Sequence, residues 1–191
     1  MPNDPLAGLT LPDDSTRPVA PQLENVTPTQ RMAGRNLRLF HNHHRQSMQA
    51  IRSLMEQIRA GEADAVALQA ATAPLGELSE NYRRFGALCG QHCHMIHGHH
   101  SIEDAYVFAA LSDKAKAFAT VVDRLKQEHE VVHELLLRLL ESLNALYHDA
   151  NRETFAAAQK LYDALERLLL SHFTYEEDSI GDALGVYDIG V

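Results

Sequence analysis

Residues 99–103, His-His-Ser-Ile-Glu, place an imidazole and a carboxylate four positions apart in a stretch that has the pattern of a helix. Residues four apart lie on the same face of a helix, so such a pair can direct two ligand atoms at one point. Two related pairs follow, His129 with His133 and His172 with Glu176. Three pairs on three separate helices predict a metal site inside a helical bundle.

Apolar residues recur at helical spacing along four long segments, and no segment alternates as a strand would. The predicted helices span residues 29–60, 75–111, 113–147 and 152–184. Gly61 is expected to end the first helix, and Pro74 to break an alanine-rich helical stretch at 63–73. Short connections favour antiparallel neighbours, so the predicted fold is all-α, an antiparallel up-and-down four-helix bundle.

The apolar stripe of the first predicted helix contains two histidines, His41 and His44. A polar side chain buried there without a partner would be costly. Positions early in one helix and late in its antiparallel neighbour lie at the same end of a bundle, so one layer can hold ligands from all four helices. Five histidines and two carboxylates meet in that layer. A single ion commonly binds fewer protein ligands than this, so two ions bridged by carboxylates are the simpler interpretation. The set is His41, His99, Glu103, His129, His133, His172 and Glu176.

The ligand types indicate which metal to expect. Imidazole and carboxylate without thiolate suit iron or manganese, whereas structural zinc favours cysteine-rich tetrahedra. The only two cysteines, Cys89 and Cys93, are four apart in a predicted helix. A disulfide between them would close a trivial loop, so we expect reduced core thiols in a cytoplasmic protein.

Composition excludes several classes of function. The formal net charge is −9 and no basic cluster occurs, which argues against nucleic acid and anionic membrane surfaces as partners. No apolar run approaches the ~20 residues of a membrane span, and the first residues lack the pattern of a signal peptide.

The chain divides into an N-terminal arm and a helical domain. Residues 1–28 contain six of the seven prolines and no helical periodicity, so they form a proline-rich arm. A mobile tail is the favoured interpretation, although its apolar residues could pack on the bundle. Residues 29–191 form the bundle domain.

In this order and spacing, the candidate ligands resemble the hemerythrin/HHE cation-binding family over about residues 35–185. HHSIEDAYVFAAL (99–111) resembles that family's second helix, EHEVVHELL (128–136) its third and SHFTYEED (171–178) its fourth. The resemblance implies a non-haem centre of two iron ions, bridged by two carboxylates and an oxo or hydroxo group, with manganese or zinc less favoured. It also implies an open position on one iron, where dioxygen, peroxide or nitric oxide binds.

The resemblance also implies roles for particular residues. His41 would be the ligand of the first helix, and Glu103 would bridge beside His99. The third helix would contribute His129 and His133. The fourth would contribute His172 and a bridging carboxylate, which could be Glu176 or Glu177.

Three positions depart from the family pattern or add to it. His44 stands where the family usually has an apolar residue, and it could replace His41, join it, or lie just beyond the ligands. His100 occupies a position where some iron-sensing relatives have an additional ligand. His92 lies about 10 Å from His99 by helix rise, outside the ligand set.

Three functions fit these expectations. The first is a di-iron sensor, carrier or scavenger of dioxygen, nitric oxide or peroxide. The second is an enzyme, with catalase-like peroxide disproportionation the most plausible activity and an oxidase or oxygenase a weaker option. The third is a module that holds iron or another metal without redox turnover. The sequence leaves the oligomeric state open.

Overall fold

The computed structural model describes residues 4–67 and 74–190. None of these residues forms a strand. A π-helical turn at Glu103–Val107 and 3-10 turns at Asp14–Thr16 and Lys116–Phe118 accompany the α-helices. The α-helices are α1 (Arg31–Ala67), α2 (Pro74–Ile102), α3 (Phe108–Lys114), α4 (Ala119–His148) and α5 (Arg152–Val186).

The four long helices form the predicted antiparallel bundle. Each packs against two neighbours, in the cyclic order α1, α2, α4, α5. The ring of His41, early in α1, lies beside that of His99, late in α2, and the same holds for His129 in α4 and His172 in α5. Neighbouring helices therefore run in opposite directions, which confirms the predicted fold.

The end of α1 and the start of α2 differ from the predicted helix limits. α1 continues through Gly61 to Ala67, so the prediction that Gly61 ends it is wrong. A glycine inside a helix costs only about 1 kcal/mol relative to alanine, too little to stop a helix by itself. Pro74 is the first residue of α2, a position where its missing N–H is not needed. The rest of the predicted alanine-rich stretch, 68–73, lies outside the described residues.

The predicted second helix is interrupted where the carboxylate motif ends. The Phe108 N–H donates to the Glu103 carbonyl, five residues back, which closes the π turn. Such turns insert one extra residue into a helix and are frequent at functional sites. α4 then begins at Ala119 instead of 113, after α3 and a 3-10 turn. The limits of α5 agree with prediction, and Asn151 caps it reciprocally with Thr154.

The interior of the bundle has two apolar cores separated by a polar layer. One core includes Met48, Ile96 and Phe173, and the other includes Leu37 and Ile180. Along every long helix the apolar side chains of one core give way to histidines or carboxylates before the other core begins. The candidate ligands occupy this layer, hereafter the polar layer.

Glycines allow α1 and α5 to approach closely beside the polar layer. A Cβ atom on Gly34 would lie 2.7 Å from the Gly181 carbonyl oxygen, and one on Gly185 would collide with the backbone of Gln30. Only glycine fits at these two places. The close crossing brings His41 of α1 within reach of the carboxylates of α5.

The N-terminal arm is ordered on the bundle, so the favoured mobile tail is wrong for the part that the structure describes. Leu6 and Leu9 pack against the first core, and Ala20 and Leu23 against the second. The arm thus spans the polar layer along its outer side.

Among the helices of the described segments, none combines the length and apolar character that a membrane span requires.

Candidate metal centre

Buried ionisable side chains are concentrated in the polar layer. Nine of the described histidines and carboxylates are less than 7% exposed, of which seven lie within the layer and two, His92 and Glu128, lie at its edge. The seven come from all four long helices and the π turn, and they are His41, His44, His100, Glu103, His129, His172 and Glu176.

The first cluster in the layer joins α1, α2 and the π turn. Ligand atoms of His41, His99 and Glu103 all lie within 4.8 Å of one another. The Nε2 atom of His99 is 3.2 Å from Oε1 of Glu103, and that of His41 is 3.9 Å from the same oxygen. These two imidazoles and one carboxylate can meet on one ion.

The second cluster contains three imidazoles. Ligand atoms of His100, His129 and His172 also lie within 4.8 Å of one another. The Nε2 atoms of His129 and His172 are 3.0 Å apart, and the His100 ring stacks on that of His129 at 3.8 Å between centroids. Three nitrogens at this spacing can share one ion.

Two carboxylates lie between the clusters. Glu103 directs Oε1 towards His99 and Oε2 towards Nε2 of His129, at 3.8 Å. Oε2 of Glu176 is 3.4 Å from Nε2 of His41 and 3.5 Å from Nε2 of His172. Each carboxylate therefore contacts a histidine of both clusters, as a bridge between two ions would.

Seven inward atoms of this set lack hydrogen-bond partners within the described residues. These atoms are buried, and each buried polar atom without a partner lowers the stability of the fold by about 1–3 kcal/mol. A metal ion would satisfy them, and nitrogen and carboxylate ligands without thiolate fit iron or manganese. The atoms are Nε2 of His41, His99 and His100 and both carboxylate oxygens of Glu103 and Glu176.

Three further carboxylates orient the imidazoles from outside. Nδ1 of His41 is 2.9 Å from Oε1 of Glu177, and Nδ1 of His129 is 3.0 Å from Oδ1 of Asp104. Nδ1 of His172 is 3.0 Å from Oε2 of Glu128. A carboxylate that accepts from Nδ1–H leaves Nε2 with its lone pair directed inward, the arrangement usual for histidine ligands of metals.

The electrostatics of the layer favour the neutral imidazole at His99 and at His100. Burial lowers the pKa of His99 to about 3. Burial, with the neighbouring imidazoles, lowers the pKa of His100 well below its usual range. Metal ligation requires the neutral form, so little proton release would accompany binding at these two residues.

The two shared carboxylates repel each other. Burial and the charge of Glu176 raise the pKa of Glu103 well above its usual range. Burial would also raise the pKa of Glu176, but the His172 imidazole, whose Nε2 is 3.5 Å from Oε2, reverses this and lowers the pKa. Two bound cations would relieve this repulsion directly.

The structure brings six of the nine predicted site residues together, five in the two clusters and Glu176 between them. The remaining three lie elsewhere. His133 is exposed, with its ring 5.1 Å from that of His97, because its position on α4 faces the surface edge of α2. His100 of α2 occupies the third imidazole position instead. The six residues are His41, His99, Glu103, His129, His172 and Glu176.

The structure separates the two residues in each of the open alternatives. Glu176 points into the layer, whereas Glu177 points outward and accepts hydrogen bonds from Arg38 and Arg45 as well as contacting Nδ1 of His41. His41 lies in the first cluster, and the ring of His44 stands 5.0 Å from that of His99.

A buried pair of histidines lies beside the first cluster. His92 is 1% exposed, and its ring centroid is 5.8 Å from that of His44. Nδ1 of His44 and both nitrogens of His92 have no hydrogen-bond partner in the described part of the chain. Burial lowers the pKa of each to about 4, so both are neutral at pH 7.

Sequence reasoning missed Glu128 and Asp104, which orient two imidazoles. The sequence does contain a signal for Glu128. This carboxylate lies within the apolar stripe of α4, three residues after Leu125 and four before Val132. A fully buried carboxylate at such a position needs a partner. Asp104 follows Glu103 with no distinguishing pattern, and only the π turn brings it to His129.

A cavity connects the second cluster with solvent. It has a volume of about 210 Å³ and lies between α2 and α4. His100 and His129 line its inner end, and His97 and His133 line its exposed side. A small molecule can approach the polar layer by this route.

One comparison with known proteins agrees with this site. A sequence model of the hemerythrin HHE cation binding domain matches residues 32–184. The chain belongs to this family. No curated protein and no solved structure gives a significant match.

Proposed function

We propose that the protein is a non-haem di-iron protein that binds dioxygen, peroxide or nitric oxide at a histidine/carboxylate-bridged centre. The observation that carries the proposal is the sharing of Glu103 and Glu176 between two histidine clusters. A single ion would leave one cluster with orphaned buried nitrogens. Iron is favoured over zinc because the clusters contain no thiolate, and both cysteines lie in the apolar core instead.

The clusters differ in a way that supports small-molecule binding. The first supplies two imidazoles and the second three. An ion in the first cluster would therefore keep a coordination position free of protein ligands. When bound, the iron pair would supply redox-active metal and that open position.

The chain's own residues would shape the space around this position. The ring of Phe173 stacks on that of His41 at 4.2 Å and excludes water from one side. His44 and His92 place unpartnered nitrogens nearby, where they can exchange hydrogen bonds with a small polar molecule. These groups suit a diatomic gas or peroxide better than a large organic substrate.

The cytoplasmic location of the protein stays a prediction.

An optical titration tests the proposal. Protein loaded with Fe(II) without oxygen is titrated separately with nitric oxide, hydrogen peroxide and dioxygen. We expect new absorption bands that saturate at about one molecule per chain for at least one of them. His41→Ala should abolish the bands, and the exposed control His133→Ala should retain them.

The same samples separate the alternatives. Sustained oxygen evolution from peroxide would favour the catalase-like enzyme over a carrier or sensor. Iron-loaded protein that responds to none of the three molecules would contradict the proposal and favour a metal-holding module.

A further inference from the structure

The N-terminal arm contacts the outer side of the second cluster through Arg17. Its guanidinium donates from Nε to Oε1 of Glu128 at 2.8 Å and from Nη2 to Oε2 at 2.9 Å. Oε2 of Glu128 is also the atom that contacts Nδ1 of His172, at 3.0 Å. A continuous chain of short contacts thus runs from the arm to an imidazole of the polar layer.

We propose that Arg17 is a positioning residue of the metal centre and that the N-terminal arm is a strap which holds His172 in its ligating orientation through Glu128. The proposal rests on the proposed function, since it assigns His172 to a bound metal. The arm, residues 1–28, precedes the part of the chain that matches the family model, residues 32–184. The strap is therefore a feature of this chain beyond the matched domain.

The geometry of the pair gives Arg17 a specific role. A bidentate guanidinium fixes both oxygens of a carboxylate and so fixes its plane, which a single contact cannot do. The Glu128 side chain is fully buried and that of Arg17 is 11% exposed, so the pair is shielded from solvent. Arg124 also contacts Glu128, but only at Oε1, the oxygen away from His172.

The strap is fastened on both sides of Arg17. Arg124 donates to the Asp13 carbonyl, and the Tyr175 hydroxyl donates to the Pro18 carbonyl. Nearer the start of the arm, Arg138 donates to the carbonyls of Pro5 and Ala7. These attachments bring Arg17 to Glu128 and give the test a matched control. Arg138 holds the same strap but has no contact with Glu128 among the described interactions.

Loss of the Arg17 side chain would free Oε2 of Glu128 from its second donor and open the carboxylate to water. The His172 ring would then lose the orientation that a fixed carboxylate gives it. Replacing a group that orients a metal ligand from outside typically lowers metal affinity by 10–100-fold. Arg17 acts one contact further away, so we expect the lower end of that range.

The test compares Arg17→Met, Arg17→Lys and Arg138→Met with the wild type. Each protein is loaded with Fe(II) anaerobically, and the release of iron to an excess of ferrozine is followed by absorbance. We expect release about 10-fold faster from Arg17→Met and within about twofold of wild type from Arg138→Met. Arg17→Lys should fall between them, because lysine keeps the charge but not the bidentate contact.

A second readout excludes a merely structural effect. Long-range ¹H–¹⁵N spectra of the histidine rings in metal-free protein should show an altered Nδ1 signal for His172 in Arg17→Met and not in Arg138→Met. Equal iron release from Arg17→Met and wild type, with an unchanged His172 signal, would overturn the strap role alone. If Arg17→Met does not fold, Arg17→Lys decides in the same way. Failure of the wild type to bind iron would instead overturn the proposed function.

Discussion

Replacing Glu103 with methionine should change the stability of the metal-free and the iron-loaded protein in opposite directions. Both Glu103 oxygens are buried without a hydrogen-bond partner in the described structure, and the side chain is 1% exposed. Methionine has a similar length and no group to satisfy. Removing the orphaned carboxylate should therefore raise the free energy of unfolding of the metal-free protein by about 1–3 kcal/mol.

The same substitution should remove most of the stabilisation that iron provides. Glu103 contacts histidines of both clusters, so its loss weakens both ion sites. A decrease of at least about 100-fold in affinity corresponds to about 2.7 kcal/mol per site. Urea denaturation followed by circular dichroism, with EDTA-treated and anaerobically Fe(II)-loaded samples, measures both quantities.

Glu166 provides a matched control for this experiment. It is also a buried carboxylate, but it is paired with Arg52 and lies on α5, outside the polar layer. Glu166→Met should destabilise the metal-free protein, because Arg52 loses a partner, and should leave the gain from iron unchanged. If Glu103→Met instead destabilises the metal-free protein and keeps the iron-dependent gain, Glu103 is a structural residue and the assignment as a bridge is refuted.

Three further predictions concern individual histidines. His41→Ala should reduce bound iron from two ions to one per chain, measured by elemental analysis, whereas His44→Phe should keep two; loss of iron from His44→Phe would make His44 a ligand. His100→Ala should weaken iron binding by at least about 10-fold in a chelator competition, and His133→Ala should not, because only His100 lies in the second cluster. Metal-free protein should lose stability as pH falls from about 6.5 to about 4, because burial lowers the pKa of His92 to about 4 and the unfolded chain binds its proton first. His92→Phe should reduce this loss by up to about 3 kcal/mol in urea denaturation at the two pH values, and an unchanged loss would show that His92 does not titrate in this way.

The bundle and much of the site were predictable because both depend on spacing within one helix. Apolar stripes define which face of each helix is buried, and pairs such as His99 with Glu103 follow from four-residue spacing alone. The same spacing could not distinguish His133 from His100. That choice depends on which of two neighbouring helix surfaces faces the narrow polar layer, and only packing between α2 and α4 decides it.

The order of the N-terminal arm could not be predicted for a related reason. Its proline content correctly excludes long helices, but composition does not report contacts between distant residues. The arm is held by pairs such as Arg17 with Glu128, which are 111 positions apart. A buried carboxylate in the stripe of α4 indicates that some partner exists, and only the fold shows that the partner is Arg17.

The number of iron ions per chain tests the bridged centre most directly. Protein is loaded with Fe(II) under anaerobic conditions, separated from free metal by gel filtration, and measured for iron and protein in the same fractions. Two clusters that share Glu103 and Glu176 predict two iron ions per chain in the wild type. A ratio of one or less at saturating iron would contradict the bridged pair.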